Sequence, residues 1–242
     1  MTLAATETLY DQLIRLSEVP DAPVRYQLYK KEPVINRLQM AGHSSPLSIK
    51  WPEFEFMRDY IARNHLQRGY EVATGFGVST LACGLGMKQT GGRMVTMDAY
   101  VEEHYDSGIA YEHKTNETYQ DMDGYKSVQF LIRQFELENT VFPTVGWSPT
   151  DTRDRLGRVF DLKAEKLDFA FIDGGHWDGF AMNDVKAIRD LIADRYALFF
   201  HDTHMLTETF HAFIEHSFGR RITQIESCKW PQGCFLGYIS TC

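Results

Sequence analysis

Residues 70–80 read YEVATGFGVST, an apolar run that contains one acid, Glu71, and breaks at two glycines, Gly75 and Gly77, just where residues with helical spacing begin. That order predicts a buried strand, a tight turn and a helix. Glycines in such a turn let the backbone come close to a ligand, and the free amides at the helix start favour electron-rich groups. A purely structural turn would have the same glycines, so the neighbouring sequence has to decide between them.

Working outward, short apolar runs alternate with helical stretches. The pattern predicts strands at 68–73, 93–98, 140–146, 167–172 and 197–201, and helices at 77–87, 124–135, 180–193 and 207–218. Strand, helix, strand in that rhythm is the mark of a parallel sheet with crossover helices on both faces. The chain then ends in RITQIES and CFLGYIS, joined by the turn-forming CKWPQG, which predicts an antiparallel hairpin. The expected fold class is therefore α/β: doubly wound, with a mostly parallel seven-stranded sheet and a C-terminal antiparallel hairpin.

In front of this sheet, residues 1–67 read as a helical cap on the substrate side, with helix patterns at 7–16 and 51–66 around the loop AGHSSPLS. Pro52 suits the first turn of the second helix, where no amide donor is lost. Residues 68–242 form the main domain. Its one insertion, at about 100–126, is long, polar and tyrosine-rich, which favours a lid over the strand ends. Tyr105, Tyr111 and Tyr125 suit a sugar or aromatic ring, and equally a contact between subunits of a homo-oligomer.

The 242 residues, 43% of them hydrophobic, suffice for one large core. A net charge of -8 argues against the basic face that neutralises phosphates, so no nucleic-acid partner is expected. No stretch approaches the roughly 20 apolar residues of a membrane span, so no membrane partner is expected either. Cys83, Cys228, Cys234 and Cys242 form no CxxC pair and read as reduced thiols of a cytoplasmic protein.

Ligands in open α/β sheets sit beyond the carboxyl ends of the strands. Asp98 ends the second strand, slightly later than the roughly 20-residue spacing of a dinucleotide fold. Its carboxylate can take the two adjacent hydroxyls of a ribose, or serve as a solvated strand-end acid. Asp173 follows the strand at 167–172 in DFAFIDGGH, and HDTH, residues 201–204, follows the next. Acids and imidazoles at neighbouring strand ends suit a divalent cation. Oxygen ligands favour Mg²⁺ or Ca²⁺, and imidazole tilts the choice toward Mn²⁺, Fe²⁺ or Zn²⁺. Equally, Asp173 could cap a helix, with His201 and Asp202 a local polar pair. His176 can accept a proton near neutral pH, and Trp177 suits either an aromatic wall or loop packing.

Taken together, EVATGFGVST, VTMDAY, GWSPTD, DFAFIDGGH and ALFFHDTH resemble the class I S-adenosylmethionine-dependent methyltransferases. The similarity is greatest to the branch with bacterial antibiotic-tailoring and sugar O-methyltransferases and cephalosporin-hydroxylase-like proteins. It covers residue 71 to the C-terminus. The resemblance implies that Glu71, Ala73, Gly75 and Gly77 line the methionine part of S-adenosylmethionine, with Ser79 a further cofactor-binding residue. It implies that Asp98 holds the ribose and that Trp147 and Ser148 flank the adenine. Asp173, His201 and Asp202 match positions that hold a divalent cation, Mg²⁺ above all, next to the methyl donor, which also makes Asp173 a cofactor-side residue. His176 and Asp173 are the implied catalytic pair, acting on a hydroxyl of a small-molecule substrate such as a sugar or antibiotic. Two departures stand out: Ala73 replaces the usual first glycine, and His201 replaces a usual acid.

Three other readings share parts of the pattern. A nicotinamide-dependent oxidoreductase would use the same glycine turn and ribose acid, but Thr80 and the terminal hairpin count against it. A metal-dependent hydrolase or hydroxylase would use DGGH and HDTH and leave the glycine turn without a role. A non-catalytic binding protein would leave the acids and the histidine without one.

Overall fold

The computed structural model describes residues 8, 9, 11, 12, 25–28, 35–40, 43–45, 49, 51–75, 77–99, 123–175, 177–225 and 235–242. Most of the 100–126 insertion, with Tyr105 and Tyr111, lies outside them, as do most of the helix pattern at 7–16, the CKWPQG turn and His176.

The main sheet has seven strands: β4 (Arg68–Val72), β5 (Arg93–Asp98), β6 (Val141–Val145), β7 (Leu167–Ile172), β8 (Ile192–Phe200), β9 (Thr223–Gln224) and β10 (Gly237–Ser240). Their order across the sheet is β6-β5-β4-β7-β8-β10-β9. The first five strands are parallel, whereas β10 runs antiparallel to both β8 and β9. The expected seven strands and terminal hairpin are thus present. Strand order reverses direction at the β4/β7 junction, the switch point where an open α/β sheet leaves a crevice.

Both faces are covered. Helices α1 (Trp51–Arg63), α2 (Val78–Thr90) and α3 (Asp123–Gln134) pack on one, with Phe169, Phe171, Ala197 and Phe199 beneath them. The short α4 (Thr152–Gly157), α5 (Asp178–Ile188) and α6 (Glu208–Phe218) flank the other, over Ala170, Ile172, Leu198 and Phe200. Alternate residues of β7 therefore feed opposite cores, and all six are buried. Each buried phenylalanine there contributes about 1.5–3 kcal/mol. That burial anchors the strand tip rigidly, which lets a polar loop follow it.

Several boundaries differ from expectation. The helix expected at 180–193 stops at Ile188, because Ile192 pairs with Leu167 and draws 192–196 into β8. Sheet pairing overrides helical spacing there. Helix α4 was not anticipated. The cap expected to be helical also contains an antiparallel meander of β1 (Arg25–Leu28), β2 (Ile35–Met40) and β3 (His43–Ser45), the last within the expected AGHSSPLS loop. RYQL and the RLQM of the second strand alternate in the period of a strand, a signal too short to be read as such alone. Tyr125, in the stretch read as the lid, lies on α3 and is buried there. Among the described residues Cys83 and Cys242 are free thiols, and no helix is long and apolar enough to cross a membrane.

Candidate active site

The turn after β4 is built from left-handed backbone. Ala73, Gly75 and Gly77 have φ of 68°, 50° and 86°. Gly77 is doubly required, since a Cβ there would come within 2.8 Å of the Val128 side chain on α3. Gly77 also caps α2 and, having no side chain, supplies no acceptor of its own to the helix's first amides. Ala73 has no such freedom, yet its amide is held by the Met97 carbonyl at 2.9 Å. An L residue in this region costs roughly 1–2 kcal/mol, so the neighbouring strand is imposing the conformation.

Glu71 lies beneath this turn, fully buried. One carboxylate oxygen, Oε2, accepts from Thr80 Oγ1 and Thr96 Oγ1, both at 2.6 Å, and Thr96 in turn meets Thr74 Oγ1 at 2.6 Å. Its Oε1 has no hydrogen-bond partner among the described residues. Burial pushes the Glu71 pKa up to about 7, against the lowering influence of Ser79, Thr80 and Thr96, while the Asp173 charge raises it further.

At the end of β5, Asp98 Oδ2 accepts from the Gly75 amide at 2.8 Å, which fixes the acid against the glycine turn. The Gly146 amide donates to the Asp98 carbonyl at 2.9 Å and so brings Trp147 alongside. These two bonds bring the glycine turn, Asp98 and the start of the 146–148 segment together. Ser148 is drawn the other way. Its hydroxyl accepts from Thr152 at 3.3 Å, and its influence holds down the Asp184 carboxyl, which burial raises to about 6. A Cβ on Gly174 would sit 2.6 Å from Asp184 Oδ2, so this buried acid lies directly under the Asp-Gly-Gly turn.

Across the switch point, β7 and β8 deliver a charged group. His201 Nδ1 lies 3.1 Å from Asp173 Oδ1 and 3.5 Å from Asp202 Oδ2. One ligand atom from each of these three residues falls within 4.8 Å of the others. Asp202, like Ala73, has left-handed backbone, with φ of 48°. The side chains are close to solvent but largely covered: 19% exposed for both acids and 10% for His201. Burial alone would lower the His201 pKa, but Asp173, Asp202 and Glu53 outweigh it and hold the imidazole well above its usual range. The cluster draws positive charge, and a nitrogen with two carboxylate oxygens is a donor set that fits a divalent cation.

Two contacts were not foreseen. Asp178 Oδ1 accepts from the Thr207 amide at 2.9 Å and its other oxygen from the Thr207 hydroxyl, clamping the start of α5 to the start of α6. Those bonds hold the Asp178 carboxyl below its usual range. The second is Glu53 on α1, fully buried, with Oε2 3.4 Å from His201 Nε2. Its signal was available: Glu53 shares a helix face with Met57 and Ile61, both fully buried, and an acid on an apolar stripe calls for a partner. Trp177, 62% exposed, stands at the rim with its ring 5.8 Å from that of Phe180.

Residues 71–203 match the family described as a methyltransferase domain. With more than half of the chain matched, the protein belongs to that family, and its sheet is that of the class I S-adenosylmethionine-dependent methyltransferases. Among curated proteins none matches. Solved structures share the fold at low identity. TomG from Streptomyces achromogenes, an O-methyltransferase involved in tomaymycin synthesis and solved with S-adenosylmethionine, is 13% identical over 81% of this chain and 83% of its own, with a TM-score of 0.56. An O-methyltransferase from Bacillus cereus solved with S-adenosylhomocysteine is 12% identical over 99% and 93%, again at 0.56. The S-adenosylhomocysteine-bound methyltransferase PaMTH1 of Podospora anserina is 14% identical over 80% of both chains, at 0.50. Against cofactor-bound Rv0187 from MTB the chain spans 57% of that protein's length, with 64% of its own aligned at 13% identity and a TM-score of 0.47.

Proposed function

We propose that the protein transfers a methyl group from S-adenosylmethionine to a hydroxyl of a small molecule, with a divalent cation at Asp173, His201 and Asp202. One observation carries this reading: the glycine turn with Asp98 and the Asp173–His201–Asp202 group flank the same switch point. In the cofactor half, Asp98 takes the ribose hydroxyls, the turn and Glu71 Oε1 receive the methionine end, and Trp147 covers the adenine. The O-methyltransferase neighbours support oxygen as the acceptor, and TomG's part in tomaymycin synthesis supports a small natural product.

The substrate oxygen attacks the sulfonium methyl carbon in line. The carbon–sulfur bond breaks, its electron pair goes to sulfur, and S-adenosylhomocysteine leaves. The hydroxyl proton goes to His176, three residues beyond Asp173 in sequence. Asp173, His201 and Asp202 would hold a cation, which would supply a lowering of the hydroxyl pKa, as metals do for bound water. The protein's share is alignment, an effect that can reach about 7–11 kcal/mol.

A thermal-shift series tests the cofactor half. S-adenosylhomocysteine raises the melting temperature and NAD does not, because a ligand of the native state stabilises by mass action. Stabilisation by NAD alone overturns the proposal.

A further inference from the structure

Glu53 is a fully buried acid in contact with the Asp173–His201–Asp202 group, and nothing in the cofactor half uses it. Its two oxygens have different tasks. Oε1 accepts the Phe235 amide at 2.9 Å, which ties α1 to the segment entering β10. Oε2 faces His201 Nε2 at 3.4 Å. A carboxylate only accepts, so these contacts place one hydrogen on Nε2, toward Glu53, and one on Nδ1, toward Asp173. A cation beside Asp173 and Asp202 would take the place of the Nδ1 hydrogen, while the Glu53 contact keeps the other on Nε2.

Cis ligands about 2.1 Å from one ion lie about 3.0 Å apart in octahedral geometry. The 3.1 Å between Nδ1 and Asp173 is close to that, and the 3.5 Å to Asp202 is wider. A histidine ligand whose second N–H is held by a carboxylate is oriented, fixed in one tautomer and made more basic. Imidazole donors also favour Mn²⁺, Fe²⁺, Co²⁺ or Zn²⁺ over Mg²⁺, which prefers oxygen.

We infer that Glu53 is a positioning residue: through His201 Nε2 it presents Nδ1 as a metal ligand and so biases the site toward Mn²⁺-like cations over Mg²⁺. This rests on the cation reading of Asp173, His201 and Asp202 given above. It extends the site to a helix that lies before the family-matched region and 148 residues from the histidine it orients.

The test is a pair of titrations, Mn²⁺ followed by electron paramagnetic resonance and Mg²⁺ by competition, on the full chain and on Glu53→Gln. The full chain is expected to bind Mn²⁺ more tightly than Mg²⁺. Glu53→Gln, which keeps an oxygen for the Phe235 amide, is expected to lose about 10- to 100-fold in Mn²⁺ affinity and less in Mg²⁺ affinity, so the ratio falls. A merely structural role would lower the melting temperature and leave that ratio alone. Equal ratios in the two proteins overturn the inference and leave the cation reading standing. If the full chain binds neither ion at millimolar concentration, the cation reading fails and the inference with it. Should Glu53→Gln not fold, pulsed resonance of the unaltered Mn²⁺ complex decides: nitrogen coupling from a bound imidazole supports the assignment, and its absence overturns it.

Discussion

The two halves of the crevice solve the same problem, a buried acid beneath a strand end, in opposite ways. On the β4/β5 side Glu71 is surrounded by hydroxyls, which donate one hydrogen each and carry no charge, so burial wins and its pKa rises to about 7. On the β7/β8 side Glu53, Asp173 and Asp202 surround a single imidazole, whose pKa rises instead. In the first half Glu71 can exist uncharged, which leaves Asp98 as its one carboxylate against the glycine turn. The second holds three carboxylates against one histidine. Separate damage to each half is the way to break that contrast.

The largest effects are expected from its charged partners. Asp98→Ala should weaken S-adenosylhomocysteine binding by about 10- to 100-fold, the loss of charge-assisted hydrogen bonds worth about 1.5–3 kcal/mol, and leave Mn²⁺ affinity unchanged by calorimetry. Asp202→Asn should do the reverse. Asparagine tolerates the left-handed backbone at that position, so the fold survives while Mn²⁺ affinity drops by about 10-fold or more. If both substitutions weaken both ligands equally, the halves are not separable and the contrast fails.

The pH dependence sharpens the first half. Glu71 titrates near 4.5 when unfolded and about 7 when folded, so the native state holds the extra proton between those values. Stability from this group is therefore full below about pH 4.5 and lost as pH rises through 7. Relative to Glu71→Gln, the wild type should lose about 2–3 kcal/mol of urea-unfolding free energy between pH 5 and 8. Asp184, raised to about 6, slopes the same way, but it is present in both proteins and cancels. A flat difference would mean that Glu71 is ionised throughout.

Strands β4, β5 and β7 and the turn after β4 were legible because each is written in consecutive residues: apolar runs, glycines, then helical spacing. Asp98, Asp173 and Asp202 followed from their places at strand ends. What was not legible depends on partners far along the chain. Residues 192–196 became strand because Leu167 pairs with Ile192, and Ser148 turned inward because Tyr70, Thr152 and Asp184 form a buried polar group there. Glu53 reaches a histidine that only the sheet order brings near. Local pattern fixes where a chemical group is delivered; tertiary contacts decide which way it faces.

The smallest expected effect tests how the first half is held. Ala73 lies left-handed with φ of 68°, and the hydrogen bond its amide donates to the Met97 carbonyl keeps it there. Ala73→Gly relieves roughly 1–2 kcal/mol of backbone strain. It also loosens the unfolded chain, which costs about 0.4–1 kcal/mol. The balance is a gain of about 0.5 kcal/mol, or a rise in melting temperature of roughly 1–2 °C for a domain of this size. A fall instead would mean that the Ala73 methyl makes contacts worth more than the strain it imposes. The glycine turn would then be held by packing as well as by the Met97 carbonyl, and the two halves of the crevice would be more alike than their charges suggest.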